Sequence, residues 1–346
     1  MSAQLDFRND APQDNVIVLK RKLPAPIIWP VAGGKGGTGK STLTANIGIG
    51  LALLGYKVIL VDGDLGAADL HLFFDQIAPR RSVGTFLTKE VRSLEDVLLP
   101  TPNQNLKLIC GGNELVSTAN LPFLTKEKLI RHIKALEADY ILIDLGAGSA
   151  YNTLDFFSLS DTGLLVCTPE PQARVDAYGF IKNTAYRKLR KLFSKNPAVK
   201  QVINRFALKS GAKSGRIKDL LDLINQVDRQ AHDDVMAELA AYKPKLILNK
   251  VRNKRHIEEI KRFSGLVREY LNVDMEYVGY MRSDDKILDA GERRRPVLLH
   301  APKAYASRDL YKILMSGLKV PDKLERFSAD HCRKLSQLAK VEAKLW

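Results

Sequence analysis

The run Gly34-Lys35-Gly36-Gly37-Thr38-Gly39-Lys40-Ser41 decides how this chain is read. It fits the pattern G-x-x-x-x-G-K-[ST] and adds a second lysine at position 35. Glycines 34, 36, 37 and 39 let the backbone take conformations closed to other residues, so that several N–H groups, Thr38 among their carriers, turn toward one phosphate. Lys40 is placed to reach the β- and γ-phosphates, the Ser41 hydroxyl is a hard oxygen suited to Mg²⁺, and Thr42 is a weaker candidate for an α-phosphate contact. Upstream, Ile27-Ile28-Trp29-Pro30-Val31 is an apolar run suited to a buried strand. Downstream, Ser41 to Leu54 has the small and apolar composition of a packed helix, whose positive dipole end would face the same anion.

Two further runs share one design. Val58 to Val61 leads into Asp62-Gly63-Asp64, and Tyr140 to Ile143 leads into Asp144-Leu145-Gly146-Ala147-Gly148. Each is an apolar strand ending in acids, placed where open α/β sheets receive ligands. An Asp after a strand also serves as a helix cap, but three such elements in order point to a nucleotide site. Strand-like runs at 57 to 62, 106 to 110, 139 to 144 and 162 to 168 alternate with helical stretches. The pattern resumes with Lys245 to Asn249, a helix over 254 to 271, a strand over 273 to 280 and a helix over 303 to 316. The fold class predicted is α/β: a P-loop nucleotide triphosphatase with a mostly parallel sheet flanked by helices on both faces.

Residues 1 to 26, with three prolines and mixed charge, read as a flexible arm, and 27 to 321 as the P-loop domain. Within it, 182 to 218 hold 12 Lys or Arg and no Asp or Glu. With Ile217, Leu220, Leu221, Ile224, Val227 and Ala231 following at helical spacing, this predicts a basic helical insertion over about 193 to 240. Residues 322 to 346 place Leu324, Phe327, Leu335, Leu338, Val341, Leu345 and Trp346 largely on one side of a C-terminal amphipathic helix. Over the 346 residues, 54 basic against 39 acidic side chains give +15, which favours an anionic partner: nucleic acid, an anionic membrane surface or an acidic protein. Cys110, Cys167 and Cys332 lack metal-ligand spacing, which fits a reducing cytoplasm and argues against an iron-sulfur carrier. No run is long and apolar enough for a membrane span.

On these motifs the sequence resembles the deviant Walker A ATPases of the MinD/ParA family, most closely its MinD and flagellar-number-regulator (FlhG) branches, over 27 to 181 and 245 to 300. The resemblance implies ATP and Mg²⁺ as cofactors and a homodimer closed around two nucleotides. It implies that Lys35 reaches the partner's nucleotide and that Lys40 holds the phosphates. Asp64 then positions the attacking water, Asp144 is the Walker B aspartate, and Asp62 lies near the metal shell with Ser41. Thr168-Pro169-Glu170, with Asp176, matches a segment contributing across the dimer, while Asn249 and Asp284 fall where adenine contacts occur, although both also read as caps. The activity implied is slow, partner-stimulated ATP hydrolysis driving a spatial regulator of flagellar placement or division-site type. That regulator would be cytoplasmic or peripheral on the inner membrane face, recruiting a regulatory protein or the membrane itself. The alternative is a ParA-like partition ATPase binding nonspecific DNA through the basic run. Residues 1 to 26 hold no clear version of the glutamine-containing motif with which FlhG proteins stimulate a GTPase, Asp14-Asn15 being a faint echo.

Overall fold

The computed structural model describes residues 25–112, 121–209, 216–321 and 323. Most of the segment expected to be an N-terminal arm, and all but one residue of the segment expected to form a C-terminal helix, lie outside them. Eight strands form one sheet: β1 Ile27–Ala32, β2 Val58–Asp62, β3 Leu99–Pro100, β4 Leu106–Ile109, β5 Tyr140–Asp144, β6 Leu164–Cys167, β7 Lys245–Val251 and β8 Glu276–Arg282. Their order is β3-β4-β2-β5-β1-β6-β7-β8, and every pairing but the short β3–β4 edge is parallel. β2, β5 and β6 are buried at every residue, as strands covered on both faces must be.

The helices are α1 Lys40–Leu53, α2 Val83–Leu87, α3 Phe123–Ala135, α4 Tyr151–Phe157, α5 Pro171–Leu192, α6 Pro197–Lys209, α7 Ile217–Val227, α8 Arg229–Ala241, α9 Lys254–Leu271, α10 Asp285–Glu292, α11 Val297–His300 and α12 Tyr305–Lys312. On one face of the sheet, α3 to α9 share a core containing Ile141, Ile143, Phe157, Phe180 and Val267. On the other, α1 and α10 to α12 enclose Leu43, Ile47, Leu60, Leu142 and Leu310. Register sets the site: Val31 of β1 and Asp62 of β2 both pair with Asp144 of β5, so three strand ends finish level.

The helical segment expected over about 193 to 240 packs into the domain itself. Phe193, Val199, Ile203, Leu220, Ile224, Val235, Leu239 and Tyr242 belong to the same core as Phe180 and Leu246. Its second part is two helices rather than one run. Asp228 adopts an extended φ of −158° and accepts the Ala231 N–H at 3.0 Å, capping α8 and ending α7. Val227, expected on the apolar face, is therefore 50% exposed at the break.

Two boundaries also moved. β8 begins at Glu276 because Asn272, in the left-handed region at φ 52°, first ends α9. It runs on to Arg282, whose guanidinium is buried against Asp309 at 2.8 and 2.9 Å. The helix expected to 316 gives way after Lys312 to a π turn, where a Cβ on Gly317 would meet the Val278 carbonyl oxygen at 1.8 Å. Among the described residues no helix is long and apolar enough to cross a membrane.

Candidate nucleotide site

The glycine-rich loop joins β1 to α1 at the carboxyl edge of the sheet. Gly39 precedes the first turn of α1 in the left-handed region at φ 88°. A Cβ there would also lie 2.2 Å from Asn249 Nδ2, so the position needs glycine on two counts. Gly34 is packed from the other side. A Cβ on it would sit 2.4 Å from the Asp176 carbonyl carbon and 2.7 Å from the Ala177 nitrogen. The loop thus lies directly on the first turns of α5, the helix that follows Thr168-Pro169-Glu170.

Beneath the loop the acids converge. Asp144 is 2% exposed, accepts a hydrogen bond from Thr44 Oγ1 at 3.1 Å and another from the Ser41 side chain, and lies near Lys40. Burial outweighs these contacts and pushes its carboxyl up to about 6. Asp62, 1% exposed, is also raised well above the usual carboxylate range, first by burial and then by Asp144 beside it. Two neighbouring buried carboxylates with a hydroxyl between them and the phosphate cradle form the hard-oxygen set that a divalent cation relieves. The residues present therefore fit Mg²⁺.

Asp62 has a second task. Its Oδ1 accepts the Asp64 N–H at 3.2 Å and its Oδ2 the Leu70 N–H at 3.0 Å, folding the loop after β2. That fold lays the Asp64 carboxylate 3.2 to 3.4 Å from the point a Cβ on Gly146 would occupy. Asp64 and Gly146, the second residue after β5, therefore lie side by side at the carboxyl edge of the sheet.

Residues from the far half of the chain complete the rim. Asn249, buried at the end of β7, donates from Nδ2 to the Thr38 carbonyl at 2.8 Å, and Lys250 Nζ donates to the Gly37 carbonyl at 2.8 Å. Exposed Glu170 lies near Lys35 and Lys250; the Thr168 hydroxyl beside it, with these two cations, holds its carboxyl below the usual range. Asp284 stands apart as a cap. One oxygen accepts the Lys286 N–H and the other the Ala306 N–H, each at 3.0 Å, tying α10 to α12. Thr42 occupies the first turn of α1, half-buried.

Sequence reasoning missed Thr44 and Lys250. Thr44 follows Ser41 by three residues on α1, one helical turn, and that spacing was the available signal. Lys250 had none beyond adjacency to Asn249.

Fold and site together define a P-loop nucleotide-binding α/β domain whose phosphate loop carries an extra lysine. The chain belongs to the CobQ/CobB/MinD/ParA family, whose nucleotide binding domain matches residues 29–297. It is 32% identical over 168 residues to the flagellum site-determining protein YlxH of Helicobacter pylori, covering 46% of this chain and 53% of the relative. It is 30% identical over 154 residues to the antiactivator FleN of Pseudomonas aeruginosa, covering 44% and 54%. These matches span about half the length of those curated relatives. In fold it is similar to the septum site-determining protein MinD of Pyrococcus horikoshii, solved in complex with Mg-ADP, with a TM-score of 0.56 at 21% identity, covering 88% of this chain and 99% of that one.

Proposed function

We propose that this protein is an ATP-hydrolysing dimerisation switch that acts as a spatial regulator, recruiting a partner or a membrane surface in its ATP state. The observation that carries the proposal is the meeting of Lys35, Glu170 and Asp176 at one rim of the phosphate loop. Glu170 feels Lys35, and Gly34 rests on the Asp176 backbone. The loop's spare lysine thus shares an edge with the head of α5, where a second subunit facing it would meet both. The relatives named for flagellar site determination and antiactivation support the regulatory reading.

In this reading the loop amides and Lys40 hold the β- and γ-phosphates, and Lys35 neutralises charge on the nucleotide of a second copy. Ser41, with Asp144 and Asp62 near it, would hold Mg²⁺, which would supply neutralisation of phosphate charge. Asp64, steadied by Asp62, orients water for in-line attack, and Asn249 flanks the base, whereas both oxygens of Asp284 are already engaged in capping. Loss of the γ-phosphate removes the contact that both halves share, and the dimer opens. The direct test is steady-state turnover with Mg²⁺ and ATP: Asp64→Ala abolishes hydrolysis while retaining nucleotide, whereas Lys40→Ala loses nucleotide binding. Normal turnover in either variant overturns these assignments.

A second reading, nonspecific DNA binding in the ATP state, is favoured by Lys195, Lys200 and Arg205 of the insertion, which are exposed and form no ion pair with any described residue. Tyr186 and Phe193, which interleave this run, are buried in the core, so the face offers cations rather than stacking rings. Cosedimentation with anionic liposomes and with duplex DNA, each with ATP and with ADP, separates the readings. ATP-dependent pelleting with DNA alone would replace the first by the second.

A further inference from the structure

We propose that Lys250 is a positioning residue of the phosphate site, clamping the glycine-rich loop from outside so that its amides face inward. The proposal rests on the nucleotide-binding reading above and goes beyond it, since the phosphate-loop motif gives this lysine no role.

A loop that binds phosphate through N–H groups turns carbonyls the opposite way, and those carbonyls need donors. Here two of them are met by consecutive residues at the end of β7: Gly37 by Lys250 Nζ and Thr38 by Asn249 Nδ2, both at 2.8 Å. On its side-chain side the tip faces open space, with nothing within 4 Å of where a Cβ on Gly36 or Gly37 would be. A flexible tip must be ordered by its ligand, which weakens binding; a tip held beforehand spares that cost.

The backbone of Lys250 points the same way. Its φ is 57°, in the left-handed region, where a side chain is strained and glycine would not be. The Asn249 Oδ1 accepts the Lys250 N–H at 2.8 Å and fixes this turn. A strained residue stands where glycine would be relaxed, and what its side chain adds is an ammonium on the Gly37 carbonyl. The same cation also adds to the positive potential that Lys35 places beside Glu170.

The test is Mg-ADP affinity by titration calorimetry on the full chain, beside the melting temperature without nucleotide, for Lys250→Met, Lys250→Gly and Lys250→Arg. Met and Gly are expected to weaken ADP binding about tenfold, the equivalent of one charged hydrogen bond, with Arg recovering most of the loss. Gly is expected to melt higher than Met, because it sheds the left-handed strain while still binding weakly. Affinity of Lys250→Met within about twofold of the unsubstituted protein overturns the clamp. So does an affinity loss matched by a fall in melting temperature in both Met and Gly. If the unsubstituted protein binds no ADP, the nucleotide reading itself falls and the clamp with it; if it binds and Lys250→Met binds equally, only the clamp falls.

Discussion

Gly34→Ala and Gly36→Ala add the same methyl group two residues apart in one loop, yet the structure gives them opposite outcomes. On Gly34 the new Cβ lies 2.4 Å from the Asp176 carbonyl carbon and 2.7 Å from both the Asp176 oxygen and the Ala177 nitrogen. All three are backbone atoms inside α5, which cannot swing aside as a side-chain tip does. Either α5 or the loop must move. Overpacking of this kind costs about 1–3 kcal/mol, and at about 2–4 °C per kcal/mol, the scale of domains somewhat smaller than this, the melting temperature falls by roughly 2–12 °C. On Gly36 the Cβ meets nothing within 4 Å, and its φ is not among the positive ones, so the melting temperature stays within about 2 °C of the unsubstituted protein. Thermal melts followed by circular dichroism without nucleotide read the difference. Equal melting temperatures for the two variants would refute the claim that the phosphate loop rests on the head of α5.

Three more predictions come from other parts of the molecule. The folded Asp144 carboxyl is raised from 3.8 to about 6, so its ionised form costs stability, a cost absent below about pH 4 and fully present above about pH 6. Asp144→Asn in magnesium-free protein is therefore expected to stabilise the fold by about 1–3 kcal/mol at pH 7.5, discounted for weaker bonds from Ser41 and Thr44, with the gain shrinking toward pH 4.5; urea midpoints at the two pH values check it. Arg282→Met leaves the Asp309 carboxylate buried without its guanidinium and is expected to cost about 3–5 kcal/mol in urea unfolding, whereas a loss below about 1 kcal/mol contradicts the pairing. Charge reversal at Lys200 and Arg205 is expected to leave melting within about 2 °C, because both are exposed, while removing ATP-dependent binding to whichever anionic surface cosedimentation identifies.

The parts of the site that could be read in sequence are those fixed by local chemistry. Glycines at set intervals before Lys40-Ser41, and apolar strands running into Asp62 and Asp144, carry their geometry with them because a strand end and a helix start determine where the side chains fall. The parallel sheet followed from the same alternation. What stayed hidden depends on residues brought together from afar. Nothing near Lys250 marks it as a donor to a carbonyl more than two hundred residues earlier, and nothing near Asp284 says that Ala306 will claim its second oxygen. Arg282 read as part of a loop because its partner Asp309 lies beyond the next two helices. The packing of the insertion stayed hidden for a related reason. Its charge is local and visible, while the burial of Val199, Ile203 and Leu220 against the domain core is a property of packing. Deleting 193 to 240 would therefore uncover that core, and surface charge reversal is the cleaner probe of its role.

In the proposed switch, nucleotide controls association through Lys35. Sedimentation velocity of Asp64→Ala, a variant expected to hold ATP without turning it over, is the decisive measurement when run with ATP, with ADP, and again with Lys35→Ala added. The expected result is a dimer with ATP, a monomer with ADP, and a monomer under both conditions once Lys35 is lost. A dimer that forms equally with ADP, or that survives Lys35→Ala in ATP, contradicts it.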